Sequence, residues 1–107
     1  MALAVAGHPT IKVEPASVLA GAVVRVHGVV PGCPAPGQVT LISRGFSHAH
    51  DFAGLPAIYA PLGRHGGYSI HTRIPAKRKA GHYVVTGRCG GGNLGVAGHF
   101  GVFRHAG

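Results

Sequence analysis

The side chains best suited to chemistry are densest in Ser47-His48-Ala49-His50-Asp51. Two histidines at i and i+2 point to the same side of an extended segment. With the Asp51 carboxylate, His48 and His50 would offer two imidazoles and one oxygen to Zn(II) or Cu(II), and His65 or His71 would supply a third nitrogen. Nine histidines in 107 residues also make an H-x-H pattern easy to meet without any ligand function. The stretch contains the residue types of a Ser-His-Asp triad, but their crowding into one short segment works against triad geometry. Glu14 and Asp51 are the only carboxylates and lie far apart in the chain, which argues against a paired general acid and base. Gly90-Gly91-Gly92 separates two strand-like runs with no helix to follow, so it does not read as a phosphate loop. The residues therefore point to a protein that is not an enzyme and has no catalytic residues, with Zn or Cu as the one cofactor to consider.

Charge points instead to partners. Ten Lys and Arg against two acidic residues give a formal charge of +8, which favours encounters with polyanions and weakens as salt rises. Acidification toward about pH 5 adds the histidines and would roughly double that charge. If the second strand pairs with the strand around Tyr68, then Lys12, Arg25, His27, His71 and Arg73 share an outer face. That face would grip an anionic cell-wall polymer, an acidic protein or nucleic acid, and the alternative is an ordinary solvated basic surface. Lys77-Arg78-Lys79 reads as a solubility feature. It has no interleaved aromatics, and the remaining Tyr and Phe are needed for the core or scattered, which disfavours nucleic acid and sugar stacking.

The elements that would position these residues are short strands. Glycine (19) and proline (8) are abundant, and Val, Ala, Ile and Leu occur in short alternating runs. Thr10-Ile11-Lys12-Val13-Glu14 reads as a strand ended by Pro15. In the next run Ala22, Val24, Val26, Gly28 and Val30 face inward and Arg25 and His27 outward. Residues 38 to 44 form a third strand through Val39 and Leu41, and residues 45 to 64 read as a long loop with at most one short strand near 57 to 60. Then come Tyr68, Ile70 and Ile74 inward, Tyr83, Val85 and Cys89 on one face, and Leu94, Val96, Phe100 and Val102 on one face of the last strand. Six or seven such strands suit an all-β sandwich. Cys33 and Cys89 are compatible with a disulfide, two thiols or half a metal site. Each lies at the edge of a β-like run, so a cross-core bridge is expected, worth about 4 kcal/mol by loop entropy and implying an oxidising compartment. Ala2-Leu3-Ala4-Val5-Ala6 looks like the end of a signal-peptide apolar region, or else a frayed terminus, so residues 1 to 8 are expected to be a flexible N-terminus and 9 to 105 the domain. No stretch is long and apolar enough to span a membrane.

The segment from Pro15 to Gly28, the Gly32-Cys33-Pro34 turn, Ile74-Pro75-Ala76, Ala80-Gly81-His82-Tyr83-Val84-Val85-Thr86 and Cys89-Gly90-Gly91-Gly92 resemble the immunoglobulin-like domains of secreted and wall-associated actinobacterial proteins. The resemblance runs from about Pro9 to Phe103. It implies a single immunoglobulin-like β-sandwich of about seven strands with an inter-sheet Cys33–Cys89 disulfide, a secreted or cell-wall location, and a binding or structural role with a protein or wall-polymer partner or self-association through edge strands. Tyr83 matches a tyrosine corner, its hydroxyl bonding backbone near the preceding turn, although it stands six residues before Cys89, not two. The opening segment is also similar to the apoproteins of enediyne antibiotics, which hold a chromophore in a cleft. Those are acidic with two disulfides, and this chain is basic with one cysteine pair.

Overall fold

A computed structural model describes residues 8–33, 37–90 and 92–104. The expected signal-peptide remnant at residues 2 to 6 lies outside these described residues. Nine strands occur and no helix among the described residues: β1 (Lys12–Glu14), β2 (Ser17–Leu19), β3 (Val23–Val29), β4 (Gln38–Ile42), β5 (His50–Phe52), β6 (Leu55–Pro61), β7 (Gly67–Arg73), β8 (Gly81–Cys89) and β9 (Gly92–Phe103). They form a three-stranded sheet in the order β1-β3-β7 and a six-stranded sheet in the order β2-β9-β8-β4-β6-β5. All neighbours are antiparallel except β2 and β9, which run parallel.

Alternation decides which side chains meet between the sheets. Val24 and Val26 of β3 oppose Val39 and Leu41 of β4, Ile58 and Ala60 of β6, Val85 of β8, and Phe100 and Val102 of β9, all buried. Burial of the Val, Leu, Ile and Phe side chains among them contributes roughly 1.5–3 kcal/mol each. The core phases of β3, β4, β7, β8 and β9 are those the alternating residues imply.

The segment leading into β1 lies so close over its neighbours that two positions must be glycine. A Cβ on Gly28 would stand 2.1 Å from the Thr10 carbonyl oxygen, and one on Gly98 would stand 2.8 Å from that of Ile11. The buried Tyr68 hydroxyl donates to the same Thr10 carbonyl at 2.9 Å. Burial raises its pKa from the ordinary 10 to about 12.

Cys33 and Cys89 form the disulfide, with Cα atoms 5.8 Å apart and a sequence separation of 56. Cys33 follows β3 of the small sheet and Cys89 ends β8 of the large one, so the bridge ties the two layers together at one end of the sandwich. The Tyr83 hydroxyl donates to the Lys79 carbonyl at 2.6 Å, closing the basic turn as the tyrosine-corner pattern implies.

Two expectations need correction. The strand count is nine instead of about seven, because β2 and β5 are three-residue strands too short to show alternation. Residues 45 to 64 are not a long loop with one short strand. They contain the β5–β6 hairpin, whose two-residue turn Ala53-Gly54 takes positive φ at both positions (53° and 88°). The Asp51 carboxylate accepts the Gly54 N–H at 3.2 Å and supports this turn.

Candidate functional site

The H-x-H segment sits at the outer edge of the six-stranded sheet. His48 Nε2 and Asp51 Oδ1 are 2.8 Å apart. This hydrogen bond, followed by that from Gly54, holds the Asp51 carboxyl below its usual range. His50 instead stacks on Tyr59, ring centroids 4.2 Å apart, so His48 and Asp51 engage each other while His50 is turned to a different neighbour. His65 lies in the turn between β6 and β7, and His71 lies in the other sheet beside Arg25. Among the described residues no group of three or more His, Cys, Asp or Glu side chains is arranged to hold a metal.

The basic face is assembled by strand register. β1 pairs with β3 so that Lys12 opposes His27 and Glu14 opposes Arg25. β3 pairs with β7 so that Arg25 opposes His71 and Val23 opposes Arg73. Lys12, Arg25, His27, His71 and Arg73 are thus brought onto one sheet, with Glu14 in their midst. Arg25 Nη1 lies 3.3 Å from Glu14 Oε1 and its Nε donates to Ser69 Oγ at 2.7 Å. His27 Nε2 is also 3.3 Å from Glu14, close enough for charge but not in hydrogen-bond geometry. Arg73 donates to the Gly21 carbonyl at 2.7 Å. Exposed pairs of this kind contribute only about 0–1 kcal/mol, but they engage the guanidiniums locally, so the remaining basic side chains of the face are Lys12 and His71.

A second surface covers the outer face of the six-stranded sheet. Cross-strand rows place Ala97, Thr86, Ile42, Ala57 and His50 side by side, and next to them Arg88, Thr40 and Tyr59. A cleft of about 340 Å³ opens there between Ile42, Leu55, Val84 and Thr86, with Arg44 and His82 at its margin. Ile42 is buried in it, but Val84 is 43% exposed, Tyr59 on the same face is 39% exposed, and Phe103 farther along β9 is 50% exposed. Arg88 lies over the Phe52 ring, 4.9 Å from its centroid. His82 and His99, on adjacent strands, stack with centroids 5.2 Å apart and bring Nε2 and Nδ1 to 3.1 Å.

Sequence reasoning assigned no role to His82, Val84, Arg88 or His99. Their outward phase was legible, since Tyr83 and Val85 face the core and Val84 must face away. Their meeting was not, because the β8–β9 register is interrupted between Thr86 and Arg88. There Thr86 pairs with Ala97, whereas Arg88 pairs with Asn93.

No protein-family model matches the chain, and no curated protein matches it in sequence. Its shape does have counterparts among solved structures. A titin M10 and obscurin-like 1 Ig complex aligns over 94% of this chain and 100% of that one, with a TM-score of 0.51 and 21% identity. The fold is immunoglobulin-like. The Yersinia pseudotuberculosis adhesin InvE aligns over 90% of this chain with a TM-score of 0.66 and 16% identity. The Pseudomonas fluorescens alkylpurine DNA glycosylase AlkC, bound to DNA containing an abasic site analogue, aligns over 89% with a TM-score of 0.60 and 19% identity. The chain spans only 29% of AlkC and 26% of InvE, so the likeness is to one part of each. At these identities it describes architecture, and function is to be argued from surfaces.

Proposed function

We propose that this protein is a non-enzymatic extracellular interaction module that docks a partner protein on the outer face of its six-stranded sheet. The observation that carries this reading is the exposed apolar pair Val84 and Tyr59 beside the cleft lined by Ile42 and Leu55, with Arg44, Arg88, His82 and His99 around them. Solvent-exposed apolar side chains rimmed by polar ones are the usual anatomy of a protein-binding patch. The partner side is correspondingly apolar at its middle with carboxylates at its rim, because the cleft lining contains no acidic residue and the whole chain carries +8. The Cys33–Cys89 disulfide supports a secreted or wall-associated location, and so does the architectural likeness to an adhesin. Glu14 and Asp51 lie on β1 and β5, in different sheets, which is unfavourable to acid–base catalysis.

An anionic wall polymer bound by Lys12, Arg25, His27, His71 and Arg73 is the competing reading, and Glu14 weakens it by occupying the centre of that face. The test is affinity capture of extracellular proteins from the source organism with the folded domain, compared with Val84→Glu and with a Lys12→Ala/His71→Ala variant. Capture of a defined protein that is lost in Val84→Glu alone supports the proposal. Binding that survives Val84→Glu but falls with Lys12→Ala/His71→Ala, and with rising salt, overturns it in favour of the polyanion.

A further inference from the structure

We infer that His82 and His99 form a two-imidazole site for a borderline divalent metal ion such as Zn(II), distinct from the His48/His50/Asp51 segment. The inference starts from the backbone. β8 and β9 are the longest strands of the molecule, and their register puts Val84 opposite His99 and His82 opposite Gly101, so the two histidines are diagonal neighbours on the outward face. Both positions are exposed to solvent. The facing nitrogens, Nε2 of His82 and Nδ1 of His99, are 3.1 Å apart. Two nitrogens bound about 2.0–2.1 Å from a tetrahedral Zn(II) stand roughly 3.3 Å from each other. The ring nitrogens are therefore already at chelating separation.

In the metal-free state one of the two facing nitrogens carries the proton that the other accepts. To bind the ion, the donor ring moves its single N–H to its other ring nitrogen. Both facing atoms then present lone pairs, and the neutral pair releases no net proton. The rings, now 24° from parallel, turn slightly so that those lone pairs converge. Water fills the remaining positions. No carboxylate lines the neighbouring cleft, and Arg44 and His82 share its margin, so affinity is modest and an added anionic ligand strengthens it. This matches the absence of any three-donor cluster among the described residues. The site stands on the His82/His99 geometry alone and does not require the proposed docking function.

The experiment uses the oxidised full chain and zinc chloride as the probe. At a tenfold excess over the dissociation constant, Zn(II) should raise Tm by roughly 5–10 °C. In NMR titration the ring resonances of His82 and His99 should move together with one-to-one stoichiometry. His82→Ala and His99→Ala should each abolish the shift in Tm while a His48→Ala/His50→Ala variant keeps it. Both histidines are exposed, so the Tm of each variant without metal should stay close to that of the parent, which separates loss of metal from loss of fold. Absence of any Tm and NMR response to Zn(II), or a response that persists in a His82→Ala/His99→Ala variant, overturns the inference. A response lost only in His48→Ala/His50→Ala places the metal at the other segment and overturns it equally.

Discussion

Tyr68 joins a strand edge to the core through one hydroxyl. Its bond to the Thr10 carbonyl holds the chain segment leading into β1 against Gly28. The folded-state pKa is raised to about 12, above the ordinary 10. The sign follows: the stabilisation is fully present below pH 10 and is lost as pH rises through about 12, because ionising the buried hydroxyl favours the unfolded chain. Urea unfolding between pH 9 and 12 should show this loss, and Tyr68→Phe should remove most of the pH dependence while costing about 1 kcal/mol at neutral pH. Gly28→Ala should be more damaging, because the new methyl would overlap backbone that cannot swing away. A destabilisation of about 3 kcal/mol, read as a fall in the urea midpoint, is expected. At the hairpin, the depressed Asp51 carboxyl contributes order above the ordinary carboxylate range and loses it as pH falls through its folded-state value. Asp51→Asn should therefore flatten the acid-side change in hydrogen exchange at Gly54.

At the scale of elements, legibility followed alternation of residue type: β6 has seven residues, as many as β3, but its Leu55-Pro56-Ala57-Ile58-Tyr59-Ala60-Pro61 run does not alternate and reads as no more than a short strand in a loop. β3, β7, β8 and β9 each have at least seven residues, and period-two alternation recovered their inward faces from residue type alone. β2 and β5 have three residues each and are held by neighbours and not by their own pattern. The β5–β6 turn escaped notice because Ala53 occupies a positive-φ position that Asn or Asp more often fills. Gly54→Ala would place a second side chain in the left-handed region, costing about 1–2 kcal/mol. It should also broaden the amide signals of β5 without disturbing β8 and β9. The five members of the basic face could be placed together from strand phase, since the β3–β7 pairing was a topological inference. Glu14, two residues from Lys12, shares its phase, but its place beside Arg25 depended on the β1–β3 register, which alternation does not encode. The His82/His99 approach depended on the irregular β8–β9 pairing in the same way.

Over the whole molecule, the charge of +8 is spread across both sheets and the turns that connect them, while the two acidic groups are each engaged by neighbouring cations or histidines. Association with an acidic protein should then be fast at low salt and slow markedly as the Debye length falls toward about 8 Å at physiological ionic strength. If the partner docks around Val84 as proposed, dissociation should change much less. Stopped-flow measurements across ionic strength separate the two.

The parallel contact of β2 with β9 has a mechanical meaning. Tension drawn along the chain through Ser17–Leu19 and Gly101–Phe103 pulls these strands past each other, so their hydrogen bonds are loaded in shear and must fail together instead of unzipping singly. Behind that clamp, the Cys33–Cys89 bridge withholds the intervening chain, a sequence separation of 56, from extension, roughly 190 Å of contour at 3.3–3.6 Å per residue. In single-molecule stretching the oxidised domain should yield at high force but lengthen briefly, and reduction should release the withheld length as a second step. A domain built this way is a stiff link under tension whose reach depends on the redox state of its surroundings.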